Sequence, residues 1–235
     1  MKIVLTQTHK SWRFAANNLV IPNGMLYIAA CLEKEGHQVE VIDPLPFDLS
    51  LKTLTDKILA AKPNLVGIYM TTDNRFNGLE LIRALKSRNK TLPIVAGGPH
   101  PSPCADNTLR NFTGLDFIIR GEAEHSTVQL VNALESGKQE FSKIPNLSWR
   151  AGKDVFHNQE MYMIPNLDSL PFPAYHLIDP EHYKDYVYVR NEKRPKSAVT
   201  ILASRGCPVG CIFCCTSHLW QKSVRFLSTQ RLFEQ

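Results

Sequence analysis

The chain has 235 residues, a hydrophobic fraction of 43% and a net charge of +5, which suits one large or two small domains with a real core. Its basic residues form no dense run interleaved with aromatics, so nucleic acid is not indicated as a partner. The opening MKIVLTQTHK has too short an apolar run for a signal peptide, and no later run approaches a membrane span, so a soluble cytoplasmic protein is expected.

From residue 1 to about 137, apolar runs alternate with segments of helical period. KIVLTQ (2–7) reads as a strand, and NGMLYIAACLEKEG (23–36) as a helix with Asn23 a candidate N-cap and Gly36 at its stop. HQVEVID (37–43) is a strand, SLKTLTDKILAAK (50–62) a helix capped by Ser50, NLVGIYM (64–70) a strand and NRFNGLELIRALKSR (74–88) a helix. LPIVAGG (92–98), a helix near 102–111, DFIIRGE (116–122) and a helix at 123–136 complete the series. Alternating βα units of this length predict an α/β fold, a flavodoxin-like (Rossmann-type) doubly wound parallel sheet of five strands. In such sheets ligands bind at the carboxyl ends of the strands.

Three of those ends are rich in small and polar residues. They are Thr71-Thr72-Asp73-Asn74, then Gly97-Gly98-Pro99-His100 running on to Pro103, and Arg120-Gly121-Glu122-Ala123-Glu124. Glycines there either turn the chain or let a ligand approach the backbone closely. Three such loops on one edge favour a ligand site. Glu122 and Glu124 are acid–base candidates, or charges placed near a helix N-terminus.

Residues 141–195 change character. IPNLSWRAGKDVFHN reads as a short hairpin turning at Ala151-Gly152-Lys153, and IPNLDSLPFPAYHL as a proline-rich extended linker crossing a surface. KSAVTILASRG (196–206) returns to strand character and delivers a loop with four of the six cysteines, Cys207, Cys211, Cys214 and Cys215. Domains are therefore expected at 1–140, at 141–195 as hairpin and linker, and at 196–235. Cys31 reads as a core cysteine and Cys104 as a packing residue or part of the ligand edge. Arg205 either pairs with the loop backbone or faces solvent.

Cys207, Cys211 and Cys214 form C-x3-C-x2-C. Three thiolates on one loop can hold three irons of a cubane and leave the fourth open, whereas structural zinc or a closed cluster wants four protein ligands. Cys215 supplies a fourth by count, but its side chain points away from that of its neighbour Cys214. In a reducing compartment such clustering points to metal or redox chemistry, not to disulfides.

ILASRGCPVGCIFCC resembles the cluster loop of radical S-adenosylmethionine enzymes. Upstream, PNGMLYIAACLEKEGHQVEVID, LVGIYMTT, LPIVAGGPHPSP, DFIIRGEAE and LDSLPFPAYHLI resemble the cobalamin-binding-domain subclass of that superfamily. The resemblance implies a [4Fe–4S] cluster on Cys207, Cys211 and Cys214, with Phe213 near the adenine of S-adenosylmethionine. It implies cleavage of that cofactor to a 5′-deoxyadenosyl radical, and cobalamin (B12) lying against Thr71, Thr72, Gly97–His100, Gly121 and Glu122. Expected chemistry is methyl transfer to, or rearrangement of, a small-molecule substrate, with a reductant such as flavodoxin or ferredoxin. The other readings are a B12-independent oxidoreductase or cyclase with a vestigial domain, and a non-catalytic cobalamin-binding module. D-x-H-x-x-G is absent, so His100 reads as a loop histidine and cobalamin is expected base-off, with no histidine on cobalt. Residues 196–235 would be only the start of a radical SAM (β/α) barrel, so the chain reads as the N-terminal portion of a larger enzyme. Gly98→Val is expected to block cobalamin by filling the strand-end edge.

Overall fold

The computed structural model describes residues 1–9, 19–138, 140–159, 161–186 and 200–235. Five parallel strands form the centre: β1 (Lys2–Gln7), β2 (Gln38–Ile42), β3 (Leu65–Tyr69), β4 (Ile94–Gly97) and β5 (Phe117–Ile119). Five helices alternate with them or follow: α1 (Asn23–Lys34), α2 (Leu51–Ala60), α3 (Arg75–Arg88), α4 (Ala105–Asn111) and α5 (Glu124–Ser136). The strand order is 2-1-3-4-5, the flavodoxin-like order in which the winding direction reverses between β1 and β3.

Successive strand side chains point to opposite faces. Val4, Val66, Ile68, Ile94, Ala96 and Ile118 bury one face against Leu54 and Ile58 of α2, Leu81, Ile82 and Leu85 of α3, and Leu109 of α4. Ile3, Leu5, Leu65, Val95, Phe117 and Ile119 bury the other against α1 and α5, through Met25, Ala29, Leu32, Leu130 and Val131. Covering both faces is why these strands read as continuous apolar runs instead of alternating ones.

The sheet is wider than five strands. The hairpin β6 (Leu147–Ala151) and β7 (Asp154–His157) adds antiparallel to β5, making seven. Gly152, at φ +62°, makes its turn. Trp149 packs on Phe141 at 6.1 Å between ring centres and stacks on Phe156 at 5.3 Å.

Local signals match in part. Ser50 caps α2 by accepting the Thr53 N–H at 3.1 Å. Asn23 does not cap α1, because Pro22 holds the cap position and Asn23 is already in the helix. Its side chain instead donates to the Thr200 carbonyl at 2.6 Å and accepts from Tyr175 Oη at 3.3 Å.

The proline-rich segment crosses α1 through 3-10 turns at Leu167–Ser169 and Tyr175–Leu177. Its Ala174 N–H donates to Leu26 O at 3.1 Å. Ile164, Leu167 and Leu170 pack with Tyr27 of α1 and with Leu227. The later part of the linker, 187–195, and residues 196–199 of the expected strand lie outside the described residues.

The cysteine segment is a two-stranded antiparallel ribbon, β8 (Ser204–Gly206) with β9 (Val224–Phe226), enclosing α6 (Thr216–Trp220) and followed by α7 (Thr229–Glu234). The first strands of a (β/α) barrel would pair in parallel, so the ribbon does not itself display the expected barrel start. No described helix is long and apolar enough to cross a membrane.

Candidate cofactor site

A cavity of about 820 Å³ opens at the carboxyl edge of the sheet, within the range of small-molecule and cofactor sites. It straddles the reversal point. Leu5 and Gln7 of β1, Gly67, Ile68 and Tyr69 of β3, Val95–Gly97 of β4 and Ile119 of β5 line it. The start of α1, from Ile21 to Met25, and the start of α5 close two sides. Thr200, Leu202, Ser204–Cys207, Thr216, Leu219 and Trp220 form the wall opposite the sheet.

The small residues at the strand ends are there for different reasons. A Cβ on Gly97 would meet only Ile119 O, at 3.7 Å, so the absent side chain is open space in the cavity wall. Gly98 sits at φ +109°, and its Cβ would lie 2.5 Å from Met70 O and 3.0 Å from the Tyr69 ring. That direction is already occupied by the end of β3 and is not open cavity. Gly98→Val would therefore distort the loop rather than fill the site, and the expected steric block belongs to Gly97. Gly121, at φ +70°, is approached by Leu219 O of α6. Ser102, which the sequence did not single out, joins the two glycine loops by donating to Gly98 O at 2.8 Å and accepting the Gly121 N–H at 3.0 Å.

Of the residues expected to meet cobalamin, Gly97, Gly98, Pro99, Gly121 and Glu122 line this cavity, and Thr71, Thr72 and His100 are not among its lining. Thr71 N–H is held by Asn74 Oδ1 at 2.8 Å, and its hydroxyl by Asp73. Thr72 Oγ1 lies 3.2 Å from His100 Nδ1. Burial, and then the Arg75 charge, hold the His100 imidazole below its ordinary pKa. Trp220 lines the cavity, and its indole N–H is buried with no partner among the described residues.

Glu122 and Glu124 are fixed in a charge cluster. Arg225 grips Glu122 with two hydrogen bonds, Nη2 to Oε1 at 2.7 Å and Nη1 to Oε2 at 2.9 Å. Ile164 N–H donates to Oε2 at 2.7 Å. Arg205 reaches Glu124 at 2.6 Å and Glu122 at 3.6 Å. Burial pushes the Glu122 carboxyl up, but the hydrogen bonds of Arg225 and Ile164 and the charges of both arginines outweigh it and hold the group below its ordinary value. Arg205 is thus neither a loop-backbone clip nor a solvent residue: burial is outweighed by the two glutamates, and its pKa is raised. Cys31 packs beside this cluster on α1, and burial, then Glu124, raise its thiol to about 12, as a packing cysteine requires. Cys104 precedes α4 at its N-cap without a side-chain cap bond.

Cys207 lines the cavity, while Cys211, Cys214 and Phe213 lie outward on the loop. Phe213 and Ile212 are almost wholly exposed. All four loop cysteines are free thiols. Among the described residues, no three His, Cys, Asp or Glu side chains are gathered around a single ion position. A cubane does not need that arrangement, since each thiolate meets its own iron. The donor set fits such a group by its chemistry: three free thiols within eight residues. Cys214 Sγ lies 3.1 Å from Thr216 Oγ1, and hydrogen bonds with the side chain and then the backbone of Thr216 hold the Cys214 thiol below its usual pKa. Cys215 caps α6.

Comparison with known proteins agrees with this architecture. The "Uncharacterized methyltransferase PH0819" of Pyrococcus horikoshii is 30% identical over 99% of this chain and 49% of its own length. An anaerobic magnesium-protoporphyrin IX monomethyl ester cyclase of Synechocystis is 29% identical over 86% of this chain and 39% of its own. The chain thus spans half or less of the length of these relatives. Among solved structures, the cobalamin-dependent S-adenosylmethionine radical enzyme OxsB, with aqua-cobalamin and S-adenosylmethionine bound, superposes on 100% of the chain and 31% of its own, with a TM-score of 0.80 at 19% identity. That likeness is one of fold. The B12 binding domain model matches residues 14–131, from before α1 into α5, and the chain belongs to the B12-binding domain family.

Proposed function

We propose that this chain binds cobalamin in the cavity at the carboxyl edge of its sheet. In the same reading Cys207, Cys211 and Cys214 hold a [4Fe–4S] cluster, and the whole protein uses it with S-adenosylmethionine for radical methyl transfer to a small molecule. The observation that carries this reading is the make-up of the cavity. Its floor is the strand-end edge of a B12-binding domain, and its opposite wall includes the first cysteine of C-x3-C-x2-C. When bound, cobalamin would supply the methyl carrier, and the cluster with S-adenosylmethionine the radical chemistry.

The chain's own residues would do four things. Gly97 leaves room beside the sheet. Trp220 adds an aromatic ring to the wall, and the apolar side chains of Leu5, Ile68, Val95 and Ile119 exclude water. The lack of D-x-H-x-x-G in the sequence supports base-off binding, with no protein nitrogen on cobalt. Phe213, exposed on the loop, would be free to pack on the adenine. A reductant such as flavodoxin or ferredoxin belongs to the same proposal, as do a cytoplasmic location and a domain plan of cobalamin unit, linker and cluster segment. The cyclase relative keeps ring formation in view as the other reaction class.

The test is titration with hydroxocobalamin followed by absorbance and by EPR of the reduced cofactor, alongside anaerobic iron–sulfur reconstitution. Expected are micromolar or tighter binding, a spectrum without axial-nitrogen splitting, and iron uptake abolished by alanine at Cys207, Cys211 or Cys214 but retained in Cys215→Ala. Axial-nitrogen splitting would overturn the base-off assignment, and loss of iron in Cys215→Ala the three-thiolate one. No binding by the folded protein would leave the B12-independent reading.

A further inference from the structure

Arg205 of β8 and Arg225 of β9 stand directly opposite one another in the ribbon register. Like charges at such a position destabilise a strand pair, and an isolated two-stranded ribbon is marginal in any case. Each strand here has three residues. The pairing is tolerated because both guanidinium groups reach across to the turn after β5, where Glu122 and Glu124 meet them at 2.7 Å and 2.6 Å. The four side chains are 3–13% exposed. Buried charges of this kind persist only when paired. Gly206 follows Arg205 at φ +103°, and any Cβ there would lie 1.9 Å from Ser223 O, so only glycine fits between the clamped arginine and Cys207, the next residue.

We infer that Glu122 and Glu124 are positioning residues. They form a buried carboxylate pair that clamps the arginine ribbon against the sheet, and so set where the cysteine loop stands over the cavity. The inference deepens the cofactor reading above and rests on it for the identity of what the loop and cavity hold. The clamp itself is a property of the chain without cofactors.

The experiment is hydrogen–deuterium exchange of the protein without added cofactors, comparing peptides from 200–227 with peptides of β1 and β3. Glu122→Gln and Glu124→Gln keep side-chain volume and remove one charge each. In either, ribbon amides are expected to exchange at least about tenfold faster while the sheet amides keep their protection. In the charge-neutral double variant Glu124→Gln/Arg205→Gln, ribbon protection is expected to return to near the wild-type rate, which loss of packing alone would not produce. Glu122 also holds a backbone N–H, so Glu124→Gln decides the matter if Glu122→Gln unfolds the sheet. Hydroxocobalamin affinity is expected to fall as ribbon protection falls in the single variants. Unchanged ribbon exchange in Glu124→Gln overturns the clamp. An open ribbon with unchanged affinity overturns its role in shaping the site. A wild type that binds no cobalamin overturns the cofactor reading, and the exchange data still decide the clamp.

Discussion

Gly97 and Gly98 are neighbours in sequence with opposite physical roles, which separates folding from binding. Gly97→Ala adds a methyl in ordinary contact with Ile119 O and should change stability by no more than about 0.5 kcal/mol. Gly97→Leu should fold and weaken cobalamin binding at least about tenfold by occupying the cavity. Gly98→Ala drives a Cβ onto Met70 O from a positive φ and should lose about 1–3 kcal/mol before any ligand is added. Urea denaturation together with cobalamin titration checks all three; a stable Gly98→Ala would mean that the loop relaxes freely. Residue types at the strand ends were legible in the sequence because glycine has few other uses at such positions. What they touch was not. Nothing local to Thr71 or Thr72 announces that Asp73, Asn74 and His100 hold them. Nothing near Glu122 announces Arg225, 103 positions away.

Helices with a cap and a clean apolar stripe could be read directly, as α2 behind Ser50 shows. The hairpin β6–β7 was legible from its Gly152 turn, but its docking was not. Phe117, Ile118 and Ile119 are all buried, a pattern that says both faces are covered without saying which strand lies alongside. The join depends on Asn146, fully buried at φ +63°, a conformation asparagine tolerates better than most residues. Its side chain donates to Glu122 O at 2.8 Å and Tyr162 O at 2.9 Å, and accepts the Tyr162 N–H at 2.7 Å. Asn146→Ala strands all three groups and should cost about 3 kcal/mol. Ser50→Ala, losing one exposed cap bond, should cost about 1 kcal/mol. Thermal or urea unfolding of the two variants measures the difference, and equal losses would show that the Asn146 bonds are replaced by water.

At the scale of the whole molecule, the βα alternation foretold the parallel sheet and its ligand edge, because period and length are local properties. The far wall of the cavity was not legible. It comes from residues 200–220 folding back over a sheet whose last parallel strand ends at Ile119, and contacts so distant leave no periodic trace. The hairpin also relocates the sheet's exposed flank. Without β6 and β7, the flank would be β5, three apolar residues whose N–H and C=O groups would face solvent unpaired. With them it is Asp154-Val155-Phe156-His157, where a charge and a histidine interrupt the apolar side chains. Open, apolar flanks recruit other chains, and polar ones discourage it. A fragment ending at 138 should therefore self-associate and precipitate where one ending at 159 stays monomeric, a contrast that light scattering of the two would read directly. The smallest soluble piece carrying the whole parallel sheet would then be set by aggregation, some twenty residues past the end of α5.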